Sequence, residues 1–214
     1  IYTDPRFWIW LFHMEHEIRQ NIPIFYYNIW DDWPAPQYNQ NYYESVDLLM
    51  NISKQTCAIV DEVCERKPRT DWDSTCVPHG INTNFFYPIP PLHKEYDEML
   101  ELKKRLFNIQ NPEDIEFVLF YNNRNIRRKM TSDALLAFQE FRNRIPKEKQ
   151  DKVAFLMHTQ PMDENGTDLR RLVRHLMPEC NVVFSENKLS SKELNQLYNI
   201  ADVTINIASN EGFG

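Results

Sequence analysis

The sequence has little glycine, with four residues in 214, and two of these four lie among its last three positions. Because glycine lets a backbone approach a ligand without a Cβ in the way, the pair Gly212 and Gly214 singles out that corner of the chain. Long apolar runs are also missing, since none reaches the roughly 18–20 residues that a membrane-spanning helix needs. We therefore expect no membrane span, and peripheral association with a membrane stays open.

Cysteine is scarce as well, and basic residues are fewer than acidic ones, 24 against 31. The four cysteines, at positions 57, 64, 76 and 180, show no Cys-x-x-Cys spacing and no paired histidines. This pattern argues against a zinc site or a disulfide framework and predicts free thiols in a reducing cytoplasm. The net charge of −7 argues against general binding of nucleic acid, although a local basic cluster remains compatible with it.

What the chain does contain is a regular succession of apolar segments. Near the start, the aromatic runs Phe7–Phe12 and Ile22–Trp30 predict two buried parallel strands, with a short helix over His13–Gln20 between them. Ser53 is a predicted N-cap of a helix that runs to about Cys64. Further along, the predicted strands are Ile115–Tyr121, Lys152–His158, Asn181–Phe184 and Val203–Ile207, and the predicted helices are Tyr96–Phe107, Asp133–Arg144, Asp168–Met177 and a helix opened by the capping box Ser190-x-x-Glu193.

Strands that are each separated by one helix predict parallel sheets with right-handed crossovers, and so an α/β fold. The run Pro88-Ile89-Pro90-Pro91 predicts a stiff, extended linker. We accordingly expect an N-terminal domain over residues 1–90 and a C-terminal domain over residues 91–214. The chain starts without methionine and stops inside a motif, so we expect both domains to be incomplete, as in a piece of a longer protein.

The end of the chain carries the most specific pattern. Leu-Tyr-x-x-Ala-Asp-Val is followed by a short β-branched run and then by Ser-x-x-Glu-Gly-Phe-Gly. This order resembles the nucleotide-sugar motif of retaining glycosyltransferases with the GT-B fold, in particular glycosyltransferase family 4. The resemblance implies two Rossmann-like domains with parallel sheets. It also implies that Glu211 begins a Glu-x7-Glu motif, whose second glutamate would lie beyond Gly214.

Two upstream segments resemble the same family in the expected order. One segment resembles the stretch by which the chain leaves the first domain in these enzymes: Pro78-His79-Gly80-Ile81-Asn82-Thr83, followed after Asn84 by Phe85-Phe86-Tyr87-Pro88. We expect Gly80 to adopt a turn conformation that other residues resist. The basic segment Asn122–Lys129 is similar to the corner that contacts the donor diphosphate. Two adjacent phosphates need cations there, since arginine offers a planar fork and lysine a compact charge.

The resemblance implies a role for individual residues. The catalytic set is Glu211, Arg124 and Lys129. The donor-binding set is Gly212, Phe213, Gly214, Arg128 and His158. Asn123 stands where the family usually has glycine, so Arg124, Arg127 and Arg128 remain alternatives for the phosphate contact. A lone histidine at a strand end such as His158 is more often a hydrogen-bonded structural residue.

Asp31 and Asp32 follow the predicted strand Ile22–Trp30. Paired carboxylates there can orient an acceptor hydroxyl or take its proton, and they can equally cap the following loop, which we favour. The sequence has no Asp-x-Asp metal motif, and family 4 enzymes are generally metal-independent. We therefore expect no metal and no cofactor apart from the nucleotide-diphosphate sugar itself.

The implied function is transfer of a sugar from a nucleotide-sugar donor, with retention of anomeric configuration, to an acceptor that is a glycan, a lipid or a protein. In such chemistry the leaving phosphate takes the acceptor's proton, so the protein's task is to hold and stabilise the diphosphate. The alternative is a non-catalytic module of the same fold that binds a nucleotide or an RNA backbone through Asn122–Lys129.

Overall fold

The computed structural model describes residues 1–65 and 73–213 and confirms an α/β fold with parallel sheets. The described chain forms two compact units: residues 1–80 together with 210–214, and residues 81–209. The boundary between the units lies earlier than the expected domain boundary after Pro90, and the last five residues belong to the first unit. The whole-domain assignment to 1–90 and 91–214 stays a prediction.

The first unit contains a three-stranded parallel sheet in the order β1-β2-β3. Its strands are β1 (Phe25–Asn28), β2 (Leu48–Asn51) and β3 (Asp73–Cys76). Its helices are α1 (Ile9–Phe12), α2 (Glu15–Ile18), α3 (Gln40–Glu44) and α4 (Lys54–Val63). The predicted cap is confirmed, since Ser53 accepts a hydrogen bond from Thr56 N and starts α4. Side chains from β1, β2 and α4, among them Tyr26, Leu49 and Ile59, form the core of this unit.

The prediction of a buried strand over Phe7–Phe12 was wrong. Pro5–Trp8 is a 3-10 helix that leads into α1, and the side chain of Asp4 accepts a hydrogen bond from Arg6 N to cap it. Asp-Pro is a helix-start signal, and a short apolar run cannot by itself distinguish strand from helix. Phe7 and Trp10 are exposed rather than buried.

The second unit contains a four-stranded parallel sheet in the order β6-β5-β4-β7. Its strands are β4 (Phe117–Asn122), β5 (Val153–His158), β6 (Asn181–Ser185) and β7 (Val203–Thr204). Its helices are α5 (Tyr96–Phe107), α6 (Thr131–Arg144), α7 (Leu169–Leu176) and α8 (Ser191–Ile200). The predicted elements are all present, and α5 has the predicted bounds. The last strand is shorter than predicted, because only Val203 and Thr204 pair with β4.

A capped helix and a central strand define the second unit further. The predicted capping box of α8 is confirmed: Ser190 Oγ accepts from Glu193 N, and the Glu193 carboxylate accepts from Ser190 N. Strand β5 is buried along its length and lies between β4 and β6, so its carboxyl end is at the middle of that edge of the sheet.

The expected role of Gly80 was also wrong. Its φ does not lie in the left-handed region, and a Cβ added there would meet no atom within 4 Å. The absence of a side chain matters instead at Gly166, where an added Cβ would lie 2.1 Å from the carbonyl oxygen of Asn125.

Candidate functional site

A cleft of about 350 Å³ opens at the carboxyl end of the second sheet. Its floor is formed by the last residues of three adjacent strands, Asn122, His158 and Ser185, which are partners in the parallel register. Open parallel sheets bind ligands at this edge, beyond the carboxyl ends of the strands. The remaining lining residues come from the loops that follow these strands: Asn123, Arg124, Thr159, Gln160, Glu186, Asn187 and Lys188.

His158 is held in one orientation at the centre of this cleft. Its Nδ1 lies 2.9 Å from the carbonyl oxygen of Ser185 and 3.1 Å from Ser185 Oγ. Because a carbonyl oxygen can only accept, Nδ1 donates this hydrogen bond, which fixes the orientation of the ring. The structural role that a strand-end histidine usually has is therefore present, and His158 also lines the cleft.

Arg124 lines the same cleft, and its guanidinium is bound to a carboxylate. Arg124 Nε donates to Asp163 Oδ2 at 2.7 Å, and Nη2 donates to Oδ1 at 3.2 Å. The hydrogen bond with Asp163 raises the pKa of Arg124, and the same bond lowers the pKa of Asp163. Both groups are consequently charged at neutral pH, and a phosphate would compete with Asp163 for the fork of Arg124.

Lys129 and Arg128 lie in the 3-10 turn Arg127–Lys129 that precedes α6. This turn is fixed through its backbone: the hydroxyl of Tyr121 donates to the carbonyl oxygen of Lys129 at 2.6 Å, and Ser209 N donates to that of Arg128 at 2.8 Å. Lys129 is nearly buried at 8% exposure, whereas Arg128 is exposed. Arg127 lines a separate cavity at the start of α6.

The loop that carries Asp163 is fastened against the Arg124 corner. Asn125 is 1% exposed, and its Nδ2 donates to the carbonyl oxygens of Pro161 and Thr167. The close approach of Gly166 to Asn125 makes this packing possible. Sequence reasoning missed the contribution of this loop. The Asn165-Gly166 dipeptide, a turn signal just beyond a strand, is the pattern that could have indicated it.

The predicted site residues of the first unit lie at the carboxyl end of β1. A Cβ added to Gly212 would lie 3.0 Å from the carbonyl oxygen of Ile29 and 3.6 Å from Asp31 Cβ, so Gly212 packs closely on the chain that leaves this strand. Glu211 is half-buried beside it, and the ring of Phe213 lies 5.8 Å from that of His79. Their predicted contacts with a donor stay predictions, and Gly214 lies outside the described residues.

The two aspartates of the first unit contribute to the loop after β1. Asp32 Oδ1 accepts a hydrogen bond from Trp33 N at 2.9 Å, as the loop-capping alternative predicts. The carbonyl oxygens of Asp31 and Asp32 accept from the side chains of Gln55 and Trp30. A role for the two carboxylates toward an acceptor stays a prediction.

Among residues 1–65 and 73–213, no group of three or more histidine, cysteine or carboxylate side chains is placed to hold a metal ion. In the same ranges, no helix has the length and apolar character needed to cross a membrane.

The sequence matches no protein-family model and no curated protein. Solved structures do resemble it. The Escherichia coli trehalose-6-phosphate protein bound with UDP-2-fluoro glucose has 15% identity and a TM-score of 0.66, over 95% of this chain and 52% of that one. The N-terminal domain of Candida albicans trehalose-6-phosphate phosphatase has 13% identity and a TM-score of 0.71, over 100% of this chain and 51% of that one.

A third similar structure is the α,α-trehalose-phosphate synthase (UDP-forming) from Burkholderia xenovorans in complex with glucose-6-phosphate. It has 12% identity and a TM-score of 0.60, over 95% of this chain and 52% of that one. The chain thus spans about half the length of the structures that it resembles. At this level of identity the resemblance shows the fold alone, and that fold is the GT-B fold of glycosyltransferases.

Proposed function

We propose that the protein is a glycosyltransferase that moves a sugar from a nucleotide-diphosphate sugar to an acceptor. The observation that carries this proposal is the cleft at the carboxyl ends of β4, β5 and β6 in an open parallel sheet. Arg124 and His158 both line this cleft. A cation that can form two parallel hydrogen bonds suits a diphosphate, and the ordered loops around it suit a nucleoside.

In this proposal the donor diphosphate displaces Asp163 from Arg124. Such an exchange keeps the guanidinium paired in both states, so the arginine charge is never left without an anion. Lys129, on the turn before α6, supplies the second positive charge. The protein then acts mainly by electrostatic stabilisation of the leaving phosphate, which needs no metal and no further cofactor.

The finer assignments belong to the same proposal. Retention of anomeric configuration and likeness to family 4 are supported by the Glu-Gly-Phe-Gly ending and by the spacing of Arg124 and Lys129. A sugar or sugar phosphate is the proposed acceptor class, because one similar structure is described as a complex with glucose-6-phosphate. A reducing compartment such as the cytoplasm suits the four free thiols.

The test is a two-stage binding and product assay. UDP-, GDP- and ADP-sugars are titrated by calorimetry, and the best binder is then incubated with sugars and sugar phosphates, after which NMR of the product reports the anomeric configuration. We expect one nucleotide series to bind and an α-linked donor to give an α-linked product. Failure of every nucleotide sugar to bind contradicts the proposal, and a β-linked product contradicts retention alone.

A second candidate is a non-catalytic module that binds a nucleotide or an RNA backbone. The exposed side chains of Arg124, Arg127 and Arg128 in one short segment favour it. The same fold also occurs in a protein described as a phosphatase, so fold does not decide activity. Binding of RNA that weakens steeply with salt, without any response to nucleotide sugars, would favour this candidate.

A further inference from the structure

Thr159 differs from the other polar residues around the cleft. It follows His158 directly, it is 6% exposed, and it lines the cleft. Its hydroxyl oxygen is enclosed and has no hydrogen-bond partner within the described part of the chain. Buried polar groups are nearly always paired, so an unpaired one needs an explanation, such as a ligand or water that completes it.

The neighbouring polar side chains are paired by the protein itself. His158 is bound to Ser185, and Gln160 Nε2 donates to the carbonyl oxygen of Glu186 at 2.5 Å. On the other side of the cleft, Asn122 Nδ2 donates to the hydroxyl of Tyr198 at 2.9 Å. The walls are therefore fixed in the free protein, whereas Thr159 keeps one donor and one acceptor unused.

The position of Thr159 indicates which part of a ligand it meets. The cation that suits a diphosphate, Arg124, follows β4, whereas Thr159 follows β5, one strand further toward the loop after β6. A nucleoside diphosphate anchored at Arg124 would have its nucleoside beside the residues that follow β5 and β6, which line the same cleft. Rotation about χ1 from one staggered well to the next moves the hydroxyl to another side of Cβ, so a change of rotamer can turn the hydroxyl toward the cleft.

We propose that Thr159 is a specificity-determining residue whose hydroxyl hydrogen-bonds the nucleoside half of a nucleoside diphosphate. This inference rests on the proposed function. A hydroxyl both donates and accepts, so it can pair with a base carbonyl, a base N–H or a ribose hydroxyl. The unpaired state of the free protein then favours binding, because the ligand supplies the missing partner.

The test compares Thr159→Val, which keeps the shape and removes the hydroxyl, with Thr159→Ser, which keeps the hydroxyl. UDP, GDP, ADP and inorganic pyrophosphate are titrated into each protein by calorimetry. We expect Thr159→Val to weaken the best-bound nucleoside diphosphate about three- to tenfold, the loss of one hydrogen bond. Thr159→Ser should stay within about twofold of the original protein, and affinity for pyrophosphate should not change.

Thr131→Val is the matched control. Thr131 is also buried, but its hydroxyl is paired with that of Tyr121 at 3.2 Å, away from the cleft. Thr131→Val should lower the melting temperature without changing nucleotide affinity. Thr159→Val should melt no lower than the original protein, because no hydrogen bond is lost in the free state, and should show a smaller shift on adding nucleotide.

The outcomes separate the two proposals. If Thr159→Val binds every nucleoside diphosphate as tightly as the original protein, the role of Thr159 is overturned and the proposed function stands. Equal weakening of pyrophosphate overturns it as well, since the hydroxyl would then serve the phosphates or the fold. If the original protein binds no nucleoside diphosphate at all, both proposals fail.

Discussion

The two sheets end differently at their carboxyl edges. The first sheet ends with Asn28, Asn51 and Cys76 side by side in register, and the second ends with Asn122, His158 and Ser185 in the same arrangement. Both sets are short polar residues at the ends of parallel strands, where ligands bind in open α/β sheets. Position at the carboxyl end of a parallel sheet would by itself give both edges the same role.

Burial makes the two edges different. In the first sheet, Asn28 and Asn51 are fully buried, Asn28 Nδ2 donates to Asn51 Oδ1 at 3.2 Å, and Asn51 Nδ2 donates to Ser74 Oγ at 2.8 Å. In the second sheet, the corresponding residues are half-buried and line the cleft. The two buried asparagines of the first set therefore stabilise their unit, and the half-buried residues of the second set line a cleft that can receive a ligand.

The largest effect is expected for Asn51→Leu. This change leaves the buried Asn28 Nδ2 without its partner, at a cost of about 1–3 kcal/mol, and removes the hydrogen bond to the exposed Ser74 Oγ, worth about 0.5–1.5 kcal/mol. We therefore expect the free energy of unfolding to fall by about 1.5–4.5 kcal/mol. The measurement is urea denaturation followed by fluorescence.

Asn122→Leu is the control at the equivalent position of the open edge. It removes one partly exposed hydrogen bond, to Tyr198, and should cost at most about 1 kcal/mol. Equal losses of unfolding free energy in the two variants would contradict the contrast between the buried asparagines of the first edge and the half-buried residues of the second.

Lys129→Met tests whether the lysine before α6 contributes to binding of a nucleoside diphosphate. Methionine keeps the buried stem of Lys129 and removes its charge, so affinity for a nucleoside diphosphate should fall about 10- to 100-fold, the value of a charge-assisted hydrogen bond of about 1.5–3 kcal/mol. His158→Ala, at the end of β5, should weaken binding clearly less. Calorimetry of both variants checks this, and equal affinities would show that the phosphates lie elsewhere.

Gly166→Ala tests whether the loop beside the cleft depends on close packing. The added methyl would lie 2.1 Å from a backbone oxygen, so the loop must move, at a cost of about 1–3 kcal/mol in unfolding free energy. Gly80→Ala has open space and should change stability by less than about 0.5 kcal/mol. Thermal and urea unfolding compare the two. A stable Gly166→Ala variant would contradict the packing of this loop.

The smallest effect is expected for Asp163→Asn, which releases Arg124. Because the hydrogen bond with Arg124 lowers the pKa of Asp163, the pair persists at neutral pH and substitution is needed to break it. Affinity for a nucleoside diphosphate should rise about two- to threefold, within the range of exposed ion pairs. Glu164→Gln serves as the control, because it removes a neighbouring negative charge and leaves the hydrogen bonds between Arg124 and Asp163 in place. Equal gains in both variants would indicate a general charge effect.

Local signals in the sequence predicted most of the fold. The amphipathic spacing of Tyr96–Phe107 gave the bounds of α5, and Ser53 and Ser190 marked two helix starts through the hydrogen bonds that they make. Alternation of strands and helices predicted the parallel pairing. The failure at Phe7–Phe12 has a local cause too, because the Asp-Pro helix start outweighed an apolar run that is ambiguous on its own.

The candidate site was predictable only in part. Sequence placed Arg124 and His158 after neighbouring strands, and the structure brings both to one cleft. It did not indicate Asp163, which binds Arg124, or Thr159, whose hydroxyl has no hydrogen-bond partner among the residues that the structure describes. Pairing between residues far apart in the chain depends on how loops fold over the sheet, and no local pattern encodes it.

The sequence by itself determined which elements form and in what order, because caps, turn residues and apolar periodicity act over a few neighbouring positions. The tertiary structure decided which strand ends are buried and which line a cleft, since that depends on how distant parts of the chain fold over each strand end. Asn51 is buried with two side-chain partners, whereas the hydroxyl of Thr159, at the edge of a cleft, has none among the described residues.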